Sequence, residues 1–243
     1  IHKMSNEWQE RTRLLLGDEG FEKLNSSHVL VVGLGGVGGY VAEQLTRAGI
    51  GELTIVDGDV VSQSNMNRQL LALQSTQGMP KAEVMAARLR DINPDVKLHV
   101  VNQFMKDQAL IDLISQPYDF VVDAIDTVSP KVFLLYYAVQ NNQRIVSCMG
   151  AGGKMHPDKI EIADIDKSHH CHLAFYIRKK LHKLGIRTGI KVVFSPEPVS
   201  KSAVIEEESQ NKASNVGTIS YMPAAFGCFC TSVVINGLLE EPE

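Results

Sequence analysis

The sequence predicts an α/β fold built on a doubly wound, mainly parallel sheet, and three observations carry that reading. A short apolar run of strand type, His28–Val32, ends in Gly33-Leu34-Gly35-Gly36-Val37-Gly38-Gly39. An amphipathic helix follows to Ala48, and a second strand, Leu53–Val56, delivers Asp57. From there to residue 148, strand-length apolar runs keep alternating with helical segments, the order expected of parallel strands joined by crossover helices.

Each element has its own signal. Asn6–Leu24 reads as a helical arm, because Trp8, Arg11, Leu15 and Leu16 recur near helical spacing, with a break at Gly17. Lys81–Arg90 is a helix ended by Asn93-Pro94. Val96–Val101 reads as a strand, and Ala109–Ser115 as a short helix. Pro117–Val122 reads as a buried strand that emerges at Asp123-Ala124-Ile125-Asp126-Thr127. Pro130–Asn141 is the next helix and Arg144–Cys148 the next strand. Gly150–Gly153 marks a crossover, after which the pattern changes. Lys159–Asp164 reads as a strand polar on one side, and Lys191–Ser195 as another strand. Between them, Leu173–Leu184 is helical, with Leu173, Tyr176, Ile177 and Leu181 on one face. Ser200–Asn215, acidic at Glu206-Glu207-Glu208, reads as a mobile loop. Gly217–Tyr221 reads as a last short strand. Pro223–Leu239 is an apolar helix for core packing or a dimer interface, too short to span a bilayer unaided.

Composition narrows the classes. The 243 residues are 44% hydrophobic and 21% charged, enough for a full core, and the net charge of −4 gives no general attraction to polyanions. No secretory signal or membrane-length apolar run is read, so the chain is expected in the cytoplasm or peripherally at the inner membrane, with no integral membrane association. Ile1-His2-Lys3 ahead of Met4 reads as a tag remnant. The four cysteines (148, 171, 228 and 230) contain no CxxC pair, so no zinc is expected and the thiols fit a reducing compartment. The local charge is uneven. Lys167–Pro196 holds seven Lys or Arg and no acid, leaving −11 on the rest of the chain. Arg178, Lys179, Lys180 and Lys183 lie on its helix and form a footprint for a nucleic-acid polyanion. His169-His170-Cys171-His172 is spaced too tightly for one tetrahedral metal.

The Gly-rich turn suits a phosphate, because glycine removes Cβ atoms from its path and the helix N-terminus offers unpaired N–H groups. Asp57, 19 residues after Gly38, lies where an acid reaches a ribose hydroxyl. These residues alone fit a nicotinamide enzyme equally well. Asn65, Arg68, Gln69 and Lys81 favour ATP cleavage between the α- and β-phosphates, where fixed cations stabilise the charge that develops. A carboxylate such as Asp126, just past the end of a parallel strand, sits at the ligand edge of such a sheet, while Asp123 caps or orients the turn.

Together, Gly33-x-Gly35-Gly36-x-Gly38, Asp57-x-Asp59-x-Val61, Asn65-x-Asn67-Arg68-Gln69 and a lysine 13 residues after Arg68 resemble the HesA/MoeB/ThiF, ubiquitin-activating-type superfamily. The resemblance implies a Rossmann-like adenylating domain over residues 4–243. Its ATP-binding half is 4–148, and a mixed α/β substrate and dimerisation half is added at 149–243. It implies adenylation of a carboxylate by ATP with Mg²⁺. Gly33, Gly35, Gly36, Gly38, Asp57, Asp59, Asn65 and Gln69 would bind the nucleotide. Arg68 and Lys81 would act at the α-phosphate, and Asp126 would accompany Mg²⁺. Arg11, with Arg13 as competitor, would reach the phosphates, often across a homodimer. The basic segment, KVVFSPEPV and GTISYMPAAFG look like the branch of tRNA threonylcarbamoyladenosine dehydratases. That branch implies a tRNA substrate and a cyclisation that needs no catalytic cysteine, with a cysteine-desulfurase or sulfur-acceptor system as a further partner. Three rivals stand beside it: a MoeB/ThiF-type enzyme activating the C-terminal Gly of a sulfur-carrier protein, an NAD-binding oxidoreductase, and a non-catalytic tRNA-binding protein.

Overall fold

The computed structural model describes residues 7–206 and 214–240. The first strand, β1 (His28–Val32), is followed by α2 (Gly38–Ala48) and β2 (Glu52–Val56), after an opening helix α1 (Glu10–Asn25). Then come α3 (Lys81–Ile92), β3 (Lys97–Val101), α4 (Asp107–Ile114), β4 (Phe120–Asp123), α5 (Val128–Gln140) and β5 (Ile145–Cys148). The second half contains β6 (Glu161–Asp164), α6 (His172–Lys183), β7 (Lys191–Phe194), β8 (Val204–Glu206), β9 (Ser214–Val216) and α7 (Tyr221–Leu239).

Seven strands form one sheet in the order β3-β2-β1-β4-β5-β7-β6, parallel except for β6, which runs antiparallel to β7. Strand order therefore reverses between β1 and β4, and the turns leaving those two strands flank the crevice where ligands bind in such sheets. The inner strands are mainly apolar because both of their faces are covered, while β3 and β6 at the two edges are partly exposed. Val29 and Val31 pack with α1, α2, α3 and α7, while Leu30 and Val32 pack with α4, α5 and α6. The 2-residue alternation of side chains within one strand thus feeds two cores.

Helix α7 is apolar enough, over 19 residues, to pass a membrane test by length and composition, yet half of that window is buried in the protein. It lies against α2, β4, β5 and β7. Gly227 lets it approach α2 closely, since a Cβ there would sit 2.9 Å from the Tyr40 Cβ and 3.1 Å from the Val37 carbonyl. Core packing, one of the two roles expected for this helix, is what the fold uses.

The break expected at Gly17 is present, with φ +72 inside α1. Three expectations need correction. Ser200–Asn215 is not simply a loop: Val204–Glu206 and Ser214–Val216 form an antiparallel hairpin, and residues 207–213, with Glu207 and Glu208, lie outside the described residues. Val204 and Ile205 carry the β-branched signal there, diluted by polar neighbours. The last short strand accordingly lies at Ser214–Val216 rather than Gly217–Tyr221, and Tyr221 opens α7. Tyr176 is 53% exposed, so the buried face of α6 is Ala174, Ile177 and Leu181.

One polar pair is built into the core. Lys131 of α5 and Asp123 of β4 are both wholly buried, with Nζ 2.8 Å from Oδ2. Ser147 Oγ donates to the same oxygen at 2.6 Å, Ile125 N donates to Oδ1 at 3.1 Å, and Lys131 Nζ donates to the Ile125 carbonyl at 2.9 Å. Removing one member leaves a buried charge without its counterion. Lys131→Met should lower stability by about 3–5 kcal/mol in urea unfolding. The double variant Asp123→Asn/Lys131→Met should recover most of that loss, and a neutral single variant would show that the pair does not hold the charge.

Candidate functional site

The glycine turn is shaped by contacts that no side chain would allow. Gly33 has φ +92, and its N–H donates to the Val56 carbonyl at 2.8 Å. A Cβ on Gly33 would lie 2.8 Å from the Ala124 carbonyl, and one on Gly38 would lie 1.8 Å from the Gly33 carbonyl. These two glycines let the β1 turn, α2 and the β4 turn meet. Gly35 differs, because a Cβ there would meet only the Gln69 amide, at 3.6 Å from Nε2, an ordinary contact. A Cβ on Gly36 would lie 3.0 Å from the Cβ of Pro223 in α7 and 3.6 Å from the Arg68 stem. Helix α2 starts without a side-chain cap; its Gly39 N–H donates to the Gly35 carbonyl at 3.2 Å, and the partial positive charge of the helix N-terminus lies at this turn.

Asp57 ties the next loop to the turn. Its Oδ2 accepts from Leu34 N at 2.7 Å and its Oδ1 from Asp59 N at 2.8 Å. Burial pushes its carboxyl upward, opposed by those two N–H groups and by Lys81. Lys81 is 5% exposed, and its Nζ reaches Asp59 Oδ2 at 3.0 Å, while its N–H donates to the Asp59 carbonyl. A lysine at the first position of α3 is thereby drawn back to the nucleotide loop.

The Asn65–Gln69 segment has a division of labour. Asn65 Oδ1 accepts from Ser62 N at 3.2 Å, and its carbonyl accepts from Arg68 N and Gln69 N, so Asn65 builds the turn. Arg68 Nη1 donates to the Ser64 carbonyl at 3.0 Å and to Asn67 Oδ1 at 2.8 Å, which fixes the guanidinium to its own loop. Gln69 carries a buried Oε1 with no hydrogen-bond partner, next to Gly35. An unpaired buried amide end costs free energy unless a ligand completes it. Asn67, to which the sequence pattern assigns no separate role, donates to the Thr218 carbonyl at 2.8 Å and joins this segment to the approach of α7.

On the facing turn Asp126 is exposed at the same edge, and Asp123 orients the turn through the Ile125 N–H. Two buried lysines were not anticipated as structural parts. Lys131 holds the β4 turn. Lys154, 3% exposed after the Gly150–Gly153 crossover, donates to the Glu197 carbonyl, and burial pushes its ammonium down against the opposing pull of Cys171 and Glu197. The available signal was a lysine flanked by apolar or glycine residues, which also describes an ordinary surface lysine.

One expectation is corrected, that for Arg178. Arg11, expected to reach the phosphates, often across a homodimer, does not reach the glycine turn of its own chain. It lines a 320 Å³ groove with Leu16, Ala48 and Ile235, at the far end of α2, about 15 Å of helix from Gly38. Arg13 is held locally by Asp18 at 2.8 Å and Glu22 at 3.5 Å and stacks on Phe21. Arg178 is half-buried and its guanidinium donates to the Ser168 carbonyl and hydroxyl, so it braces the loop before α6. Lys179, Lys180 and Lys183 are exposed as expected. Cys148, Cys171 and Cys230 are buried and only Cys228 is exposed. A 540 Å³ concavity between Ser115–Asp119 and Asn141–Arg144 lies at the opposite end of β4 and β5 and holds none of the nucleotide-motif residues.

Comparison with known proteins places this arrangement. Residues 9–243 match the ThiF family. The tRNA threonylcarbamoyladenosine dehydratase of Bacillus subtilis (strain 168) is 36% identical over 241 residues, covering 96% of this chain and 95% of that protein. The Escherichia coli tRNA N6-threonylcarbamoyladenosine dehydratase, TcdA, solved in complex with ATP, superposes with a TM-score of 0.88 at 33% identity, over 96% of this chain and 93% of that one. The molybdopterin-synthase adenylyltransferase of Escherichia coli (strain K12) is 42% identical, but over 46% of this chain and 45% of its own length. With the glycine turn, Asp57, Arg68 and Lys81 gathered at the strand-order reversal and the family match running through nearly all of it, the chain belongs to the ThiF family.

Proposed function

We propose that this chain is an ATP-dependent tRNA threonylcarbamoyladenosine dehydratase. The observation that carries the reading is full-length likeness to dehydratases, combined with a glycine edge whose cations are already fixed. The carboxylate of the threonyl group attacks the α-phosphorus of ATP, and pyrophosphate leaves. Attack from within the same modified nucleoside then closes a ring and expels AMP. One carboxylate oxygen departs on AMP, so the nucleoside loses the elements of water. Holding both groups on one nucleoside makes the second step intramolecular, a large proximity advantage.

The residues divide this work. The face at Gly35 and the uncapped N-terminus of α2 receive phosphate. Gln69 completes its unpaired Oε1, or its Nε2 after an amide flip, on the nucleotide. Arg68 and Lys81 stabilise charge on the α-phosphoryl group and on leaving pyrophosphate. The exposed carboxylate of Asp126 suits Mg²⁺, which takes one or two carboxylates together with phosphate oxygens and would neutralise phosphate charge. Arg11 reaches such a site only from a second copy, in a homodimer.

The lysines of α6 serve the tRNA. Lys183 lies near the end of α6, shortly before β7 begins at Lys191, so the lysine end faces away from the glycine edge. The 12-residue helix spans about 18 Å. Phosphates held there belong to the tRNA body and not to the reacting nucleotide. The sulfur-carrier reading is disfavoured, since likeness to the molybdopterin-synthase enzyme covers less than half of either chain and the CxxC pairs are missing.

Three outcomes are expected. Nucleosides from threonylcarbamoyl-modified tRNA, incubated with the protein, ATP and Mg²⁺, should show an ATP-dependent loss of one water by mass spectrometry. No change, with a positive control enzyme, would turn the search to a small carrier protein ending in Gly-Gly. Lys81→Ala should slow ATP–pyrophosphate exchange in the presence of substrate by roughly 10²–10³-fold with little loss of stability, since its partner Asp59 is solvated. Unchanged exchange would remove Lys81 from the chemistry. Replacing Lys179, Lys180 and Lys183 by Ala should reduce the slope of log affinity for tRNA against log salt by roughly 0.7–0.9 for each phosphate no longer neutralised. An unchanged slope would place the tRNA elsewhere.

A further inference from the structure

At the edge of the sheet opposite the glycine turn, three strands bring together a cluster that no nucleotide role explains. His28 opens β1, Glu52 opens β2, and His99 lies in β3. The register pairs His28 with Glu52 and Thr54 with His99, so His28, Glu52, Thr54 and His99 share one face of the sheet. His28 Nδ1 lies 3.5 Å from Glu52 Oε1, and His99 Nε2 lies 2.8 Å from the same oxygen. The three ligand-type atoms all fall within 4.8 Å of one another.

We propose that His28 Nδ1, His99 Nε2 and Glu52 Oε1 form a binding site for a borderline divalent transition metal of the Zn²⁺ type, with water completing the shell. Two imidazoles and one carboxylate are a donor set that such ions accept. With metal–ligand bonds of about 2.0–2.1 Å, tetrahedral ligands stand roughly 3.3–3.4 Å apart, and the two separations from Oε1 bracket that value. The site also has outer support. His28 Nε2 is hydrogen-bonded to Thr54 Oγ1 at 2.8 Å, which orients the ring with Nδ1 facing Glu52. Tyr118 packs edge-on against His28, with centroids 4.8 Å apart. The His28 N–H is fixed by Asp119 Oδ2 at 2.7 Å.

The surrounding charges favour exchange of a cation. Lys97 Nζ now occupies Glu52 Oε1 at 2.8 Å, but its side chain is 66% exposed. An arriving metal displaces it into water at small cost. Because the site ties β1, β2 and β3 at the far end from the glycine turn, the ion has a structural role and does not enter the ATP chemistry.

The test is calorimetric titration of the full chain with Zn²⁺ alone, repeated with Co²⁺ for its ligand-field spectrum. One ion per chain should bind in the micromolar range. His99→Ala and Glu52→Gln should each weaken binding at least tenfold, and Thr54→Val, which leaves every ligand in place, should weaken it roughly tenfold. His169→Ala/His172→Ala should bind as the parent does. His99 is half-exposed, so its variant should keep its fold by circular dichroism and its ATP–pyrophosphate exchange. Absence of saturable binding, or binding that survives His99→Ala and disappears with His169→Ala/His172→Ala, would overturn the proposal.

Discussion

The structure depends on one steric fact: the turn after β1 and the turn after β4 touch backbone to backbone. A methyl group on Gly33 would meet the Ala124 carbonyl at 2.8 Å, and one on Gly38 would enter the Gly33 carbonyl. Without that contact the crevice at the strand-order reversal would widen, and α2 would start further from its strand. Gly35 is spared the contact, at the turn where the helix N-terminus lies. Close packing and anion binding are therefore two uses of a single glycine run, at different positions within it.

Charge is arranged to serve this geometry. Two carboxylates sit behind the edge and are committed to backbone. Asp57 binds the N–H groups of Leu34 and Asp59, and Asp123 binds that of Ile125 while paired with Lys131. Each restrains one of the two turns that meet. The cations at the edge are restrained in a different way, by partners on their own loops: Arg68 by Ser64 and Asn67, Lys81 by Asp59. Groups fixed before the substrate arrives need little reorganisation when charge develops, and that is the source of electrostatic catalysis. The buried Lys131 thus bears on the edge at one remove, through the Ile125 carbonyl at the start of the loop that carries Asp126.

Much of this was legible in the sequence, for a physical reason. The succession of strands and helices along the chain, the glycine turn and the charged residues after β2 are all short-range patterns, and their spacing alone restricts where they lie, whereas the order of strands in the sheet comes from the fold. Features set by tertiary contact were not legible. Arg178 carries the same local signal as Lys179, but only the fold shows its guanidinium turned back onto Ser168. Lys131 reads as a solvent lysine until β4 and β5 close over it. Arg11 has the right distance from Gly17 for a phosphate-binding arm, and only the fold shows that it lies at the far end of α2 from the glycine turn of its own chain. His28, Glu52 and His99 are separated by 24 and 47 residues, and only strand register puts them on one face.

The cysteines bear on which adenylating chemistry fits. A relay through a thioester needs an accessible thiol with an accessible thiolate form. Cys148 and Cys230 face each other in the core, and that contact, together with burial, drives the Cys230 thiol well above its usual range. Cys171 stands at the N-terminus of α6, but it is 6% exposed. Cys228 is exposed, yet it is on α7 beside Gln44, midway along α2 and away from the glycine turn. None of the four combines exposure with a place at the edge. A reaction in which the substrate brings its own nucleophile asks for neither, so the chain's thiols are free to be packing residues. The same reasoning explains why the edge concentrates on phosphates: once the acyl-adenylate forms beside its intramolecular partner, proximity does the rest.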